Sequence, residues 1–308
     1  MINKEKNFIS AVMYIGDNMD IAPDFVRKLA AVLCENFEHY EIICVNDGYD
    51  DDAVSPLKAL SGDVKNGVLS VVNMSYRQGV ELSMSAGVDL AIGDFVYEFD
   101  NISAEFDNSL IMEIYRRSLT GFDIVSASPA KSRKSSRLFY KLYNRFSGNP
   151  AKIRTETFRI LTRRAINRVN SMSDTLPYRK AQYAACGLKC DTVFYDSKTA
   201  RRNSDFETSR SDKAIDSLIL FTDIAYKSSL AMAFIMLCLC VFSVIYTIVT
   251  YIAIDTAPGW ATIMLFLSVA FVGIFGLFAV VIKYLTLLTE LVFKKQKYII
   301  RSIEKITK

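Results

Sequence analysis

Two long intervals without a charged residue dominate this 308-residue chain. No Asp, Glu, Lys or Arg lies between Lys227 and Asp255, and none lies between Asp255 and Lys283. Each interval exceeds the ~20 apolar residues that cross about 30 Å of hydrocarbon. A charge at mid-membrane costs about 2.5–3.5 kcal/mol on insertion scales, so two clean intervals in succession are a strong constraint. Both are apolar on all faces and carry no amphipathic stripe, which argues against a helical hairpin buried in a soluble core. Two C-terminal transmembrane helices are therefore expected over residues 227–286, with a basic cytoplasmic tail at 287–308.

Charge placement sets the expected orientation. The net charge is only +4, but the cations are grouped. Lys131, Arg133, Lys134, Arg137, Lys141 and Arg145 crowd one segment, and Arg201, Arg202, Arg210 and Lys213 precede the first apolar interval. Lys294, Lys295, Lys297 and Arg301 follow the second, while the turn from Asp255 to Trp260 has no Lys or Arg. The positive-inside rule puts both ends in the cytoplasm. The expected location is the inner (plasma) membrane, multi-pass, with membrane lipids as partners and no nucleic acid. The opening MINKEKNFIS does not read as a signal peptide. The six cysteines are scattered, which suits reduced thiols facing the cytosol. Cys186 and Cys190 would be half a zinc site with no second half.

Residues 1–130 alternate strand and helix signals. Apolar, β-leaning runs occur at Phe8–Tyr14, Tyr40–Val45, Val68–Val72, Phe95–Phe99 and Asp123–Ala127. Helical spacing occupies Ile21–Phe37, Asp51–Leu60, Gln78–Ile92 and Ser109–Leu119 between them. Such alternation predicts an α/β fold with a doubly wound, mainly parallel sheet. Ligands of these sheets bind beyond the carboxyl ends of the strands. Those ends are Tyr14–Asn18, Asn46–Tyr49, Asn73–Arg77 and Glu98–Asn101. Residues 131–226 form a second half with two amphipathic stretches, Ser135–Ser147 and Asp212–Tyr226. The first is basic and aromatic-rich. It suits either an anionic membrane surface or ordinary packing on the sheet.

These segments together resemble the membrane-bound family 2 glycosyltransferases of the polyprenyl-phosphate type, the dolichol-phosphate-mannose synthase and bactoprenol glucosyltransferase group. Glu41–Gly48 (EIICVNDG) is similar to that family's second-strand run. Gly79-Val-Glu81, Ala86-Gly87, Asp89 and Gly93-Asp94 follow its next helix, and Glu98-Phe-Asp100 falls where the family has Asp-x-Asp. Leu138–Arg145 is similar to its interface helix, Phe158-Arg159-Ile-Leu to its FRL segment, and Arg163-Arg164-Ala165 to its RRA. The run from Lys294 to Arg301 is similar to its basic tail. There are departures. Asn46 replaces the first Asp of Asp-Asp-Gly, Glu98 replaces the first Asp of Asp-x-Asp, and Thr157 replaces the Asp of Gly-Asp-Phe-Arg.

The resemblance implies a GT-A-like domain whose nucleotide-sugar-binding half is 1–130 and whose acceptor half is 131–226. It implies a nucleotide sugar donor resting on Tyr14, Gly16, Asp17, Asn46 and Asp47, with Asn46 alternatively only capping a turn. It implies Mg²⁺ or Mn²⁺ on Asp100 with Glu98 as its partner, or on Asp100 alone if Glu98 turns into the sheet. Hard divalent ions take such oxygen ligands and neutralise a diphosphate leaving group. Side chains alternate along a strand, so positions 98 and 100 share a side. Asp100 and Arg159 are the candidate catalytic residues. Arg137, Arg201 and Arg202 are candidates for the acceptor phosphate or, alternatively, for contact with anionic lipid.

A hydroxyl acceptor needs a general base, whereas a polyprenyl phosphate is already ionised near pH 7. Thr157 in place of a carboxylate therefore suits a lipid phosphate. The expected activity is inverting transfer of a hexosyl unit from a nucleotide sugar to a polyprenyl phosphate at the cytoplasmic face. The alternatives are a catalytically impaired relative acting as a membrane scaffold or regulator, and transfer to another lipid or glycan. A Gly273-x-x-Gly276 pair leaves homo-oligomerisation open.

Overall fold

The computed structural model describes residues 4–49, 51–103, 106–130, 134–146, 150–172, 178–196 and 298–307, with scattered helical positions between 232 and 288. The chain divides into two compact units, Met1–Lys213 with Lys295–Lys308, and Ala214–Lys294.

The first unit is built on one eight-stranded sheet. Its first strands are β1 (Ile9–Tyr14), β2 (Tyr40–Asn46), β3 (Gly67–Met74), β4 (Phe95–Phe99) and β5 (Ile124–Pro129). Every residue of β1 and β2 is buried, as their nearly unbroken apolar sequences require of strands covered on both faces. Four helices link them: α1 (Ala22–Asn36), α2 (Asp51–Lys58), α3 (Val80–Leu90) and α4 (Ser109–Leu119). Pro23 sits in the first turn of α1, where a missing N–H costs nothing. Val26, Leu29, Ala30 and Leu33 form that helix's buried stripe.

Side-chain alternation divides the core into two layers. Ile42 and Cys44 join Val26, Leu33, Tyr97, Phe99, Ile114 and Phe158 on one face. Ile43 and Val45 join Val12, Met84, Ala86, Val96, Leu161 and Ile166 on the other. The period of two that expects this division is the elementary property of a pleated strand.

The remaining elements are α5 (Lys134–Phe146), β6 (Phe158–Thr162), α6 (Arg163–Met172), α7 (Arg179–Ala185), β7 (Cys190–Tyr195) and β8 (Ile300–Lys305). The sheet order is β7-β5-β6-β4-β1-β2-β3-β8. The β1–β2, β1–β4, β2–β3 and β5–β7 pairs are parallel. The β4–β6, β5–β6 and β3–β8 pairs are antiparallel. The sheet is thus mainly parallel, but two antiparallel insertions were not expected. The FRIL segment is a sheet strand wedged between β4 and β5, and the stretch after the second apolar interval supplies an edge strand on β3.

Within α5, Tyr140 and Tyr143 are buried, while Arg137, Lys141 and Arg145, four residues apart, are exposed. Asn144 clips the helix to the chain that follows. Its Nδ2 donates to Ile153 O at 2.9 Å, and its Oδ1 accepts from Ile153 N at 2.9 Å. The second amphipathic stretch, Asp212–Tyr226, lies outside the described residues.

The apolar intervals of the second unit also lie largely outside the described residues. Among the described residues no helix is long and apolar enough to cross a membrane. The helical positions that are described expose Ile235, Phe242, Ile263, Leu267 and Phe278. A Cβ on Gly276 would come within 2.9 Å of Met232 Cε, so the glycine permits a close approach to residue 232.

Close approach to backbone matters at Gly93, just before β4. A Cβ there would lie 2.6 Å from Ser10 N and 2.9 Å from Phe8 O. Backbone cannot yield as a flexible side chain can. Gly93→Ala is expected to destabilise the first unit by about 1–3 kcal/mol, the usual cost of overpacking. Thermal denaturation of the detergent-solubilised full chain measures this.

Candidate active site

The carboxyl end of β4 delivers Glu98 and Asp100 to the same side, and β6 answers with Arg159. Glu98 and Arg159 face each other in register across the antiparallel pair. Arg159 Nη1 donates to Glu98 Oε2 at 2.9 Å and Nη2 donates to Asp100 Oδ2 at 2.7 Å. Its Nε lies 3.0 Å from Glu156 Oε2, an ion pair by distance that lacks the alignment of a hydrogen bond. The structure thus brings Arg159, Glu98 and Asp100 together.

A second arginine completes the cluster, and sequence reasoning missed it. Arg179, at the start of α7, donates from Nη1 to Glu98 Oε1 at 3.1 Å and from Nη2 to Asp100 Oδ1. Its backbone N and Nε both reach Glu81 Oε2 at 3.1 Å. Tyr183, one turn further along α7, donates its hydroxyl to Glu98 Oε1 at 2.5 Å. Lys180 is buried with Nζ 4.0 Å from Glu156 Oε2. The one available sequence signal is the pair of cations opening RKAQYAA, a segment otherwise small and apolar enough to be buried whole.

Electrostatics follow from this packing. Burial raises the Asp100 carboxyl, but Arg179 and then Arg159 outweigh it and hold the group well below the ordinary carboxylate range. Burial pushes the Glu98 carboxyl up, against the pull of Arg179 and Arg159. Burial likewise pushes the Tyr183 phenol far up, so it stays a donor.

Asp100 and Glu98 were expected to hold a divalent ion. Their donor set does not fit one. Glu98 is wholly buried, and its two oxygens take three hydrogen bonds from Arg159, Arg179 and Tyr183. Asp100 keeps 20% of its side chain exposed, with each oxygen on a guanidinium. Among the described residues no group of three His, Cys, Asp or Glu side chains could hold a metal. In this arrangement guanidinium and phenol donors take the oxygens of both carboxylates that a Mg²⁺ or Mn²⁺ would use.

The nucleotide candidates gather at the ends of β1 and β2. Asp47 is buried and accepts four hydrogen bonds: from Gln78 N at 2.7 Å, Gly79 N at 2.9 Å, Ser83 Oγ at 2.8 Å and Tyr14 OH at 3.0 Å. It caps the amino end of α3, where a negative charge is favoured, and ties that helix to β1. Asn46 Nδ2 donates to Tyr49 O and to Asn73 Oδ1, both at 2.9 Å, and its Oδ1 accepts from Tyr49 N at 3.1 Å. Both amide N–H groups are therefore used inside the protein, and Asn46 does cap a turn. As arranged, Asn46 and Asp47 are engaged within the protein, and the Asn46 amide presents no free N–H to a base. Gly16 has φ +31°, and a Cβ there would run into the Tyr14 ring. The Asp17 side chain lies outside the described residues.

Arg137 lies exposed on α5, and Arg201 and Arg202 lie outside the described residues. Arg163 is structural. Its Nε donates to Gly93 O at 3.0 Å and its Nη2 to Ala91 O at 2.8 Å. Thr157 shares a 2.6 Å hydrogen bond with the Tyr195 hydroxyl.

Residues 22–169 match the model of the family described as glycosyl transferase family 2. An uncharacterized glycosyltransferase of Synechocystis sp. is 28% identical over 196 residues, 61% of this chain and 60% of that protein. A prophage bactoprenol glucosyl transferase homolog of Escherichia coli K12 is 25% identical over 61% of this chain and 62% of its own length. The chain thus spans less than two thirds of these relatives. Among solved structures, a Pyrobaculum calidifontis mannosyltransferase in complex with GDP-Man and Mn²⁺ aligns at TM-score 0.52, 10% identity, over 95% of this chain and 89% of its own. Mycobacterium tuberculosis glucosyl-3-phosphoglycerate synthase aligns at TM-score 0.51, 13% identity, over 70% and 80%. These are likenesses of fold, and they accord with a GT-A-like mixed sheet.

The lowered Asp100 predicts a pH signature. A depressed carboxylate adds stability that is fully present above its unfolded pKa of about 3.9, and loses it progressively as pH falls from there toward the lower folded value. The stability difference between wild type and Asp100→Asn should be constant above about pH 5 and shrink only in stronger acid. Denaturant unfolding of both proteins from pH 7 to pH 3 checks it.

Proposed function

We propose, from the premise that this chain carries a glycosyl transferase family 2 domain, that it transfers a hexosyl unit from a nucleotide sugar to a polyprenyl phosphate at a membrane surface. The observation that carries this reading is the pair of buried arginines, Arg159 and Arg179, at the carboxyl end of β4. Strand ends are where ligands of such sheets bind. Planar guanidinium forks match phosphate oxygens as they match carboxylates, so Asp100 shows the geometry a phosphate would find.

The chemistry needs little more. An oxygen of the acceptor phosphate attacks the anomeric carbon, and that carbon's bond to the donor diphosphate breaks. Inversion follows from attack opposite the leaving group. The electron pair leaves with the nucleoside diphosphate, whose growing charge the arginines stabilise in a site of low dielectric. No proton has to be removed, because the acceptor is already ionised. A Thr157 hydroxyl paired with Tyr195, where a base would otherwise stand, suits that acceptor. The bactoprenol glucosyl transferases among the relatives support the same acceptor class.

The membrane reading has its own support. The charge-free intervals are long enough to span. Apolar side chains at described helical positions, such as Phe242 and Phe278, stay exposed, as lipid-facing residues would. A small residue at Gly276 suits close helix packing. Both termini and the sheet domain then face the cytoplasm.

One set of observations favours a second reading, a relative without turnover that serves as a membrane scaffold or regulator. Each Asp100 oxygen is on a guanidinium, and Asn46 and Asp47 are engaged by internal partners. The assay that separates the two uses purified full chain, labelled nucleotide sugars and undecaprenyl phosphate. Turnover is expected to give a lipid-linked phosphosugar, and Arg159→Gln is expected to cut its rate by about 10²–10³-fold. Donor binding without transfer to any lipid would instead support the scaffold. Orientation is read separately. A cysteine introduced at Gly259 should react with an impermeant thiol reagent added outside intact cells, and one introduced at Ser302 should not.

A further inference from the structure

The edge strand β8 does more than cover the sheet. Asn73 on β3 sits opposite Asn46 on one side and Ser302 on the other. Its Oδ1 accepts from Asn46 Nδ2 at 2.9 Å, and its Nδ2 donates to Ser302 Oγ at 3.1 Å and to Glu304 Oε1 at 2.9 Å. A carboxylate only accepts, so Glu304 dictates which end of the Asn73 amide faces it. Asn73 in turn dictates the amide of Asn46, and Asn46 holds both the N–H and the C=O of Tyr49. A row of polar groups thus runs from β8 to the loop beyond β2. Its two amides are 1% exposed, where the low dielectric makes each bond in a connected network count.

A second connection reaches the neighbouring loop. Gln78 Nε2 donates to Ile299 O at 2.7 Å, and Ile299 N returns a bond to Gln78 Oε1 at 2.9 Å. Ser75 N also donates to Ile299 O, at 3.1 Å. The backbone N–H groups of Gln78 and Gly79 are the ones that Asp47 gathers. Two of the four strand-end loops are therefore held by residues 299–304. Covering an edge requires only backbone pairing. Buried amides aligned by a carboxylate go beyond that need.

We infer that Glu304, acting through Asn73 and Asn46, is a positioning residue for the nucleoside end of the donor site, which β8 completes. The inference deepens the donor reading given above and rests on it. Glu304 touches no donor atom. It sets the shape of the loops at Asn46–Tyr49 and Ser75–Gly79. Its other oxygen pairs with Lys58 Nζ at 2.8 Å between half-exposed side chains, where solvent screening leaves little to gain.

The test uses the full chain in detergent with Glu304→Ala, Glu304→Gln and Asn73→Ala. Amide hydrogen exchange needs no ligand. In Glu304→Ala, exchange at residues 47–49 and 76–79 should rise on the order of tenfold, with β1 and β4 unchanged. UDP and GDP are then titrated. Whichever binds the wild type should bind Glu304→Ala about tenfold more weakly, with donor KM raised and kcat kept at saturating donor. Glu304→Gln, whose amide oxygen still accepts from Asn73, should restore most of both effects. Loop exchange and nucleotide affinity that stay at wild-type values in Glu304→Ala and Asn73→Ala overturn the inference alone. A wild type that binds neither nucleotide overturns the donor reading and the donor role of Glu304 with it, while the exchange data still report whether β8 holds the loops.

Discussion

Four charged side chains at the end of β4 organise the first unit. Glu98 and Asp100 lie between Arg159 and Arg179, with only Asp100 keeping a partly exposed side chain. Ionic groups pay heavily for burial, and removing one partner of such a set typically costs 3–5 kcal/mol because the others are left uncompensated. The cluster therefore joins elements that the chain supplies far apart: β4, β6, α7 and, through Glu81, α3. The antiparallel insertion of β6 has its clearest purpose here. Only a strand beside β4, in the register that sets Arg159 across from Glu98, can present a guanidinium without leaving the sheet.

The same cluster relates the fold to its proposed chemistry. Carboxylates that hold two arginines in place are the natural internal substitutes for phosphate oxygens. A site built this way keeps its cations ordered before any ligand arrives, so little reorganisation remains for the reaction itself. Asp47 follows a similar logic at the other end of the site. Four donors fix it, and its charge stabilises the start of α3 rather than meeting solvent. Residues that resemble a binding motif are here part of the frame on which the strand-end loops hang.

Much of this was legible in the residues. The β1–β5 alternation, the helices between them and the shared side of positions 98 and 100 all follow from periodicity. What stayed hidden has physical reasons. FRILT is short and carries an arginine, so it lacks the unbroken apolar run of a central strand, and only its partner at Glu98 explains the charge. Arg179 opens a seven-residue helix with no solvent face, and periodicity cannot report burial that comes from a distant carboxylate. IRSIEK does alternate, with Arg301, Ile303 and Lys305 on the exposed side. Its cations drew attention to the membrane rule instead, and its strand partner lies more than two hundred residues away. The spent hydrogen bonds of Asn46 and Asp47 depend on β3, α3 and β8, which no local pattern contains.

That separation has a consequence for biosynthesis. Asn73 and Ser302 are 229 positions apart, and ribosomes add about 5–20 residues per second. The β3 edge thus waits on the order of ten to fifty seconds for its partner, with unpaired backbone groups that invite pairing to other chains. If residues 227–286 enter the bilayer during that wait, a newborn molecule reaches the membrane before its sheet is finished. Premature termination between residue 286 and β8 would then leave an anchored protein with a sticky, incomplete edge, a target for quality control.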